Sequence, residues 1–155
     1  MRADVALENA VKATYLYKLP QFVTWPAGSL PPDRFVLCVI GRGRFGGVLD
    51  QAVEGQKVQR RPILVRRYLA IGANPGCQLM YIAGSQEQSV ANVLAITQGA
   101  PVLTVTDGQS ATTMGMINFV VIGGRVRFEI DQAAAAASGL AISSKLMSLA
   151  VRPGG

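Results

Sequence analysis

The chain has 155 residues, of which half are apolar and 15% are charged, and its formal net charge is +6. This length and composition predict one globular domain with a buried core and exclude an intrinsically disordered chain. No segment reaches the roughly 18 uninterrupted apolar residues that a membrane-spanning helix needs, and the lack of histidine excludes histidine-activated nucleophiles and the most common metal ligand.

The first half of the chain is predicted to alternate between helix and strand. Asp4 is the expected N-cap of a first helix, and Pro20 should end or kink it because proline lacks an amide donor. Strands are predicted at residues 35–40 and 59–68, with a short helix between them. Pro62 favours an edge position or a bulge for the second strand. The apolar stripe expected to bury the first helix consists of Leu7, Val11, Tyr15, Leu19 and Phe22.

The second half continues this alternation. Strands are predicted at residues 78–83 and 101–106, and the helix between them begins at Ser85 or Ser89. An alanine-rich helix and a final helix end the domain. Their predicted boundary residues are Asp131 as an N-cap, Gly139 as a terminator, and Ser143 or Ser144 as the second N-cap.

Residues 115–131 contain the strongest local signal, because two β-rich runs flank Gly123 and Gly124. Two consecutive glycines at this place are typical of a two-residue hairpin turn. The turn fixes the register, so that Asn118 faces Glu129. Alternation then separates an apolar face from a polar one. The apolar face holds Ile117, Phe119, Val121, Val126, Phe128 and Ile130, and the other face holds Asn118, Val120, Arg125, Arg127 and Glu129.

The order of elements predicts an α/β fold in a single layered domain over residues 3–151, followed by a tail at 152–155. We expect a mixed sheet of about six strands with flanking helices, and a C-terminal β-hairpin followed by helices.

The polar hairpin face allows two interpretations. A solvated strand face would need no partner, and an ion pair there would contribute about 1 kcal/mol or less. If a helix covers the face instead, Asn118, Arg127 and Glu129 need partners and become candidates for a recognition site.

Residues 41–46 match the G-x-G-x-x-G pattern of dinucleotide-binding loops through Gly41, Gly43 and Gly46. An NAD site would also have an acid at the end of the second strand, where this chain has Arg66 and Arg67, which would suit a phosphate of NADP. The alternative interpretation is a tight turn from strand to helix. The preceding helix, the short chain and the lack of a proton-handling residue favour the turn, so no cofactor is expected.

Other chemistry is sparse. The nine carboxylates are scattered, and two cysteines, Cys38 and Cys77, are too few for a zinc site. The cysteines are either free buried thiols or a disulfide, and spacing alone does not decide between them. The arginines of the first half lack a docking helix or a stacking strip, so nucleic acid is not an expected partner. An enzyme is not expected.

Several motifs, in order along nearly the whole chain, resemble the YfiR-like proteins. They are KATYLY at 12–17, FVTWP at 22–26, Gly41 with Phe45 and Gly46, Cys77 before LMYI at 79–82, PVLTV at 101–105, GMINF at 115–119, GRVRFEI at 124–130 and ISSKL at 142–146. The resemblance implies that Cys38 and Cys77 form a disulfide. A second cysteine pair of a better-known relative is missing here, and Pro20 departs from that family's more continuous first helix.

The resemblance implies a non-enzymatic, dimeric periplasmic protein. Such a protein represses an inner-membrane diguanylate cyclase by contacting its periplasmic sensor domain, which lowers cyclic-di-GMP and biofilm formation. An outer-membrane lipoprotein partner or redox stress would release the repression. We expect the contact surface at Trp25, Asn118, Arg127 and Glu129. Met1 and Arg2 run directly into the helical pattern, which fits a cytosolic protein or a mature exported domain.

Overall fold

The computed structural model describes residues 2–42, 45–73, 75–110 and 112–151, so the predicted tail at 152–155 lies outside it. The helices are α1 (Arg2–Lys18), α2 (Gly47–Val53), α3 (Val90–Thr97), α4 (Gln132–Ala137) and α5 (Ser144–Leu149). The strands are β1 (Val23–Thr24), β2 (Phe35–Gly41), β3 (Lys57–Val58), β4 (Arg61–Tyr68), β5 (Leu79–Gly84), β6 (Leu103–Asp107), β7 (Ile117–Ile122), β8 (Arg125–Ile130) and β9 (Ala141–Ile142).

The main sheet has seven strands in the order β3-β4-β2-β5-β6-β7-β8. The strands from β4 to β7 run parallel, while β3 and β8 pair antiparallel at the two edges. The predicted mixed sheet with flanking helices and a late hairpin is therefore confirmed.

Two hydrophobic clusters cover the sheet, one on each face. The larger cluster contains Leu16 of α1 and Leu49 of α2, which pack over Leu37, Tyr81 and Phe119 of the sheet. The smaller cluster packs α3 against β2 and β5 through Val93, Cys38 and Met80. Helices on both faces are the usual cover of a parallel sheet, because each strand exposes side chains to both sides.

The first helix differs from its prediction in the face that it buries. Pro20 does end α1, and a 3₁₀ turn at Leu19–Phe22 follows. However, α1 already includes Asp4, and Leu7 is 66% exposed. Within α1, Lys12, Ala13 and Leu16 are buried, and Val11 and Tyr15 of the predicted stripe are partly buried against the larger cluster. Leu19 is buried as predicted, in the turn after α1. The prediction was therefore wrong at Leu7 and missed Lys12, because a pattern of apolar residues does not reveal a buried lysine.

Three helix starts are capped by side chains that the sequence suggested. Ser89 accepts from the amide of Asn92, Asp131 from that of Ala134, and Ser143 from that of Leu146. These bonds satisfy amides at the helix start that lack an intrahelical acceptor. They also decide between Ser85 and Ser89, and between Ser143 and Ser144.

The structure contains a second, small sheet that was not predicted from the sequence. It pairs β1 with β9 antiparallel and thereby links the segment after α1 to the segment between α4 and α5. After α5, Val151 donates its amide to the carbonyl of Phe128 at 2.8 Å, on the outer edge of β8. Sequence patterns rarely reveal such two-residue pairings.

Candidate functional site

The hairpin of β7 and β8 has the predicted turn and register. Gly123 and Gly124 take φ values of 58° and 78°, which L side chains rarely adopt. Asn118 lies opposite Glu129, and Val120 lies opposite Arg127. The hairpin therefore places the predicted polar face on the side opposite the larger hydrophobic cluster.

Asn118 is the centre of a buried hydrogen-bond network on this face. Its amide nitrogen donates to Glu129 Oε1 at 2.8 Å and to the carbonyl of Gln109 at 3.1 Å. Its Oδ1 accepts from the hydroxyl of Thr106 at 2.8 Å and from the amide of Gln109 at 3.2 Å. All donors and acceptors of the Asn118 side chain are thus used, as burial of a polar group requires.

The network is covered by the connection between β6 and β7, not by a helix or by solvent. Thr106 accepts the amide of Gly115 at 2.9 Å, and Thr104 accepts the amide of Met116 at 3.0 Å. A loop that crosses a sheet face must satisfy its backbone groups, and these side chains do so. Asn118 and Glu129, which are 0% and 8% exposed, therefore have a structural role within this network.

Arg127 is exposed on the same face, and the salt bridges within the described part of the chain do not include it. The neighbouring end of the hairpin is unusually apolar, since Val121 and Ile122 are each 45% exposed. A groove of about 460 Å³ separates this end from α1 and is lined by Leu7, Glu8, Val11, Gly124, Arg125 and Val126. Exposed aliphatic side chains beside arginines are typical of a protein-binding surface.

Trp25 lies apart from this surface. It is 5% exposed and packs edge-on against Phe35, with 5.3 Å between the ring centroids. Its Nε1 is buried without a hydrogen-bond partner among the described residues. The structure therefore places Trp25 in the core and brings only Asn118, Arg127 and Glu129 together.

The structure also contains a second buried polar cluster, which the sequence did not reveal. Lys12 donates to Asp107 Oδ2 at 2.7 Å, and the hydroxyl of Tyr81 donates to the same oxygen at 2.8 Å. The Lys12 and Asp107 side chains are only 5% and 16% exposed. The only sequence signals were a lysine inside an apolar helix and an aspartate at the end of a strand, which do not reveal that the two meet.

Cys38 and Cys77 form a disulfide, with sulfurs 1.95 Å apart, that connects β2 to the segment before β5. The two residues are 0% and 1% exposed and lie within the smaller hydrophobic cluster. The pairing implied by the family resemblance is confirmed.

The described part of the glycine-rich loop has a structural explanation. Gly41 has a φ of 98°, and a Cβ there would lie 2.3 Å from the carbonyl oxygen of Gly84. Arg67, a candidate for binding a phosphate, instead donates to Asp50 at 2.8 Å and to the carbonyl of Gly46 at 2.8 Å. Gly43, the middle glycine of the pattern, lies outside the described residues.

Comparison of the chain with models of known protein families identifies its family. A family model described as YfiR/HmsC-like matches residues 9–151, which include the whole main sheet. The chain belongs to the YfiR/HmsC-like family. This family is regulatory, non-catalytic and periplasmic, and it is associated with the control of diguanylate cyclases. No curated protein matches the chain significantly, and among the described residues no helix has the length and apolarity needed to cross a bilayer.

Proposed function

We propose that the protein represses a membrane diguanylate cyclase by binding the periplasmic sensor domain of that enzyme, and thereby lowers cyclic-di-GMP and biofilm formation. The family match over residues 9–151 is the observation that carries this proposal. The dimeric state, periplasmic location and release by an outer-membrane lipoprotein belong to the same proposal.

The hairpin end is our proposed contact surface. Arg127 supplies an exposed charge, and Val121 and Ile122 supply exposed apolar area next to the groove beside α1. Asn118 and Glu129 would act from beneath, by holding β7, β8 and the β6–β7 connection in one arrangement. Trp25 would support the surface only indirectly, through the core.

The test uses a cyclase with a periplasmic sensor domain from the same genome. The purified sensor domain is titrated against the oxidised protein, and cyclic-di-GMP is measured in cells that express both proteins. Arg127→Glu should weaken binding and raise cyclic-di-GMP while the melting temperature stays unchanged. Arg34→Glu is the control, because Arg34 is also an exposed arginine but precedes β2, and its exposed ion pair with Asp33 should contribute little to stability. Absence of binding by the unmodified protein would contradict the proposal.

A further inference from the structure

Positive charge is concentrated where the end of α1 meets the turn between β3 and β4. This basic patch consists of Lys18, Lys57, Arg60 and Arg61. Gln21 holds the two parts together, because its Nε2 donates to the carbonyl of Tyr17 at 3.1 Å and to that of Lys57 at 2.7 Å. Lys18, Lys57 and Arg60 are exposed, and the ion pairs within the described part of the chain include no member of the patch.

The turn that presents Arg60 has an unfavourable backbone for its sequence. Its two central residues, Gln59 and Arg60, have φ values of 48° and 70°. Such turns favour Asn-Gly or Gly-Gly, since other side chains rarely adopt positive φ, and the β7–β8 turn of this chain uses Gly123 and Gly124. Arg60 is exposed, so packing of the core does not explain an arginine at this place. Backbone strain of this kind is concentrated at functional sites.

We infer that the basic patch attaches the protein to the surface of an anionic phospholipid bilayer. Each Lys or Arg close to anionic headgroups strengthens such attachment roughly fivefold. The cations of the patch do not converge on one cavity. A groove of about 440 Å³ beside β4 includes Lys57, and a cavity of about 350 Å³ on α1 includes Lys18, but neither includes a second cation of the patch. Distributed charge of this kind matches an extended anionic surface and not a single phosphate ligand.

The composition of the patch also favours lipid headgroups over a protein partner. Protein interfaces have an apolar centre, whereas electrostatic attachment to a bilayer needs only charge. The large exposed apolar side chains of the described chain all lie outside the patch: Val5, Leu7, Val48, Leu64, Leu69, Val121, Ile122 and Leu149. Of the nearby acids, Asp33 is paired with Arg34 at 3.2 Å, and Glu54 lines the groove with Lys57. The patch therefore keeps a net positive charge.

The position of the patch leaves the proposed cyclase contact free. The strands from β4 to β7 are parallel, so the turn before β4 lies at their amino end and the hairpin turn after β7 lies at their carboxyl end. Strands β3 and β8 also form opposite edges of the sheet. A molecule attached through the patch would thus present its hairpin end away from the bilayer. The inference rests on the proposed function only in placing the protein beside the membrane that holds the cyclase.

Cosedimentation with lipid vesicles tests the inference. The protein should bind vesicles of phosphatidylcholine mixed with phosphatidylglycerol but not vesicles of pure phosphatidylcholine, and added salt should weaken the binding. Arg60→Gly should weaken it roughly fivefold, and the double variant Lys57→Gln/Arg60→Gly roughly twentyfold. Arg60→Gly should not lower the melting temperature, because glycine adopts positive φ without steric cost.

Two control variants separate the patch from the strain of the turn and from net charge. Gln59→Asn relaxes the same turn but retains its charge, so vesicle binding should stay unchanged. Arg42→Gln removes an exposed arginine just after the carboxyl end of β2, and vesicle binding should again stay unchanged. Equal losses for Arg60→Gly and Arg42→Gln would show that only net charge matters and would overturn the assignment to this patch.

Three further results would overturn the inference. The first is absence of binding to the anionic vesicles at low salt. The second is release from the vesicles by inorganic phosphate at constant ionic strength, which would indicate a discrete phosphate site. The third is a weaker affinity of Arg60→Gly for the soluble sensor domain without lipid, which would assign the patch to the protein partner. Because this titration contains no lipid, it tests the proposed function independently of bilayer attachment.

Discussion

Lys12 and Asp107 form an ion pair across 95 residues of sequence, with 2.7 Å between Nζ and Oδ2. The pair connects the middle of α1 to the carboxyl end of β6, and Tyr81 adds a hydrogen bond to the same carboxylate oxygen. A charge this far from water is tolerated when its partner is present, and removal of one partner leaves the other unpaired. The docking of α1 onto the sheet should therefore depend on both residues.

We expect Lys12→Met to lower the free energy of unfolding by about 3 kcal/mol, because it leaves Asp107 largely buried without its cation. The double variant Lys12→Met/Asp107→Asn should lose less free energy of unfolding than the sum of the losses in the two single variants. A double-mutant cycle by urea denaturation would measure this difference. Lys18→Met, at the exposed end of the same helix, is the control and should change stability by no more than about 0.5 kcal/mol. Equal stabilities for the Lys12 and Lys18 variants would contradict this role.

Asn118→Ala should destabilise the protein by about 2–4 kcal/mol, because it removes the acceptor of the buried Thr106 hydroxyl and the side-chain donor to the carbonyl of Gln109. Glu129→Gln retains an oxygen that can accept from Asn118, so its loss should be about 1 kcal/mol or less. Thermal and urea unfolding measure both effects.

The same Glu129→Gln variant separates a structural role from partner recognition. If the sensor domain contacts the carboxylate of Glu129 directly, the Glu129→Gln variant should bind the sensor domain more weakly although its fold is preserved. If Glu129 only supports the hairpin, binding should stay near that of the unmodified protein. A Gln variant that unfolds as readily as Asn118→Ala would contradict the proposed hydrogen-bond exchange.

Trp25→Ala should cost about 3–5 kcal/mol of stability, as expected for the loss of a large buried aromatic side chain. Trp25→Phe keeps the ring contact with Phe35 and removes the buried Nε1 donor, which lacks a partner among the described residues. We therefore expect a loss of about 1–2 kcal/mol and unchanged sensor-domain affinity. A loss of affinity at preserved stability would place Trp25 in the contact itself.

The sequence predicted the hairpin well because its determinants are local. Gly123 and Gly124 specify the turn, and alternation along β7 and β8 then gives every cross-strand pair. The caps at Ser89, Asp131 and Ser143 are equally local, since each side chain bonds an amide three residues later.

The parts that the sequence did not reveal depend on distant partners. The burial of Lys12 in α1 was unforeseen because its partner, Asp107, lies far away in the chain. The cover over Asn118 was also unforeseen, because the β6–β7 connection has no periodic pattern and is held by side chains of the strands beneath it. Sequence reasoning identified the polar cluster but not the loop that buries it.

Gly41→Ala should destabilise the protein by more than about 3 kcal/mol, because a Cβ would overlap the backbone of Gly84 and the φ of 98° is unfavourable for alanine. Gly108→Ala is the matched control, with a φ of 68° but no atom within 4 Å of an added Cβ; its loss should be about 1–2 kcal/mol. Chemical denaturation compares the free energies of unfolding of the two variants.

A thermal shift with NADPH tests the alternative that the glycine-rich loop binds a dinucleotide, and stabilisation at micromolar ligand would support that alternative.

Replacement of both Cys38 and Cys77 by alanine should lower the free energy of unfolding by about 4 kcal/mol from the unfolded-chain entropy of a 39-residue separation, with an added loss from core packing. Urea denaturation of the oxidised and the doubly substituted proteins measures the total. Urea denaturation of the reduced protein with both cysteines intact separates the contribution of the disulfide bond from that of core packing.

Burial of this disulfide also has a consequence for redox control. Because both cysteines are at most 1% exposed, a thiol reductant should reach the bond only in molecules that have opened, so reduction should be slow in buffer and faster in moderate urea. Mass spectrometry after rapid alkylation follows the reaction, with sensor-domain binding measured in parallel. Fast reduction of the native protein, accompanied by loss of binding, would show instead that this single bond acts as a redox switch.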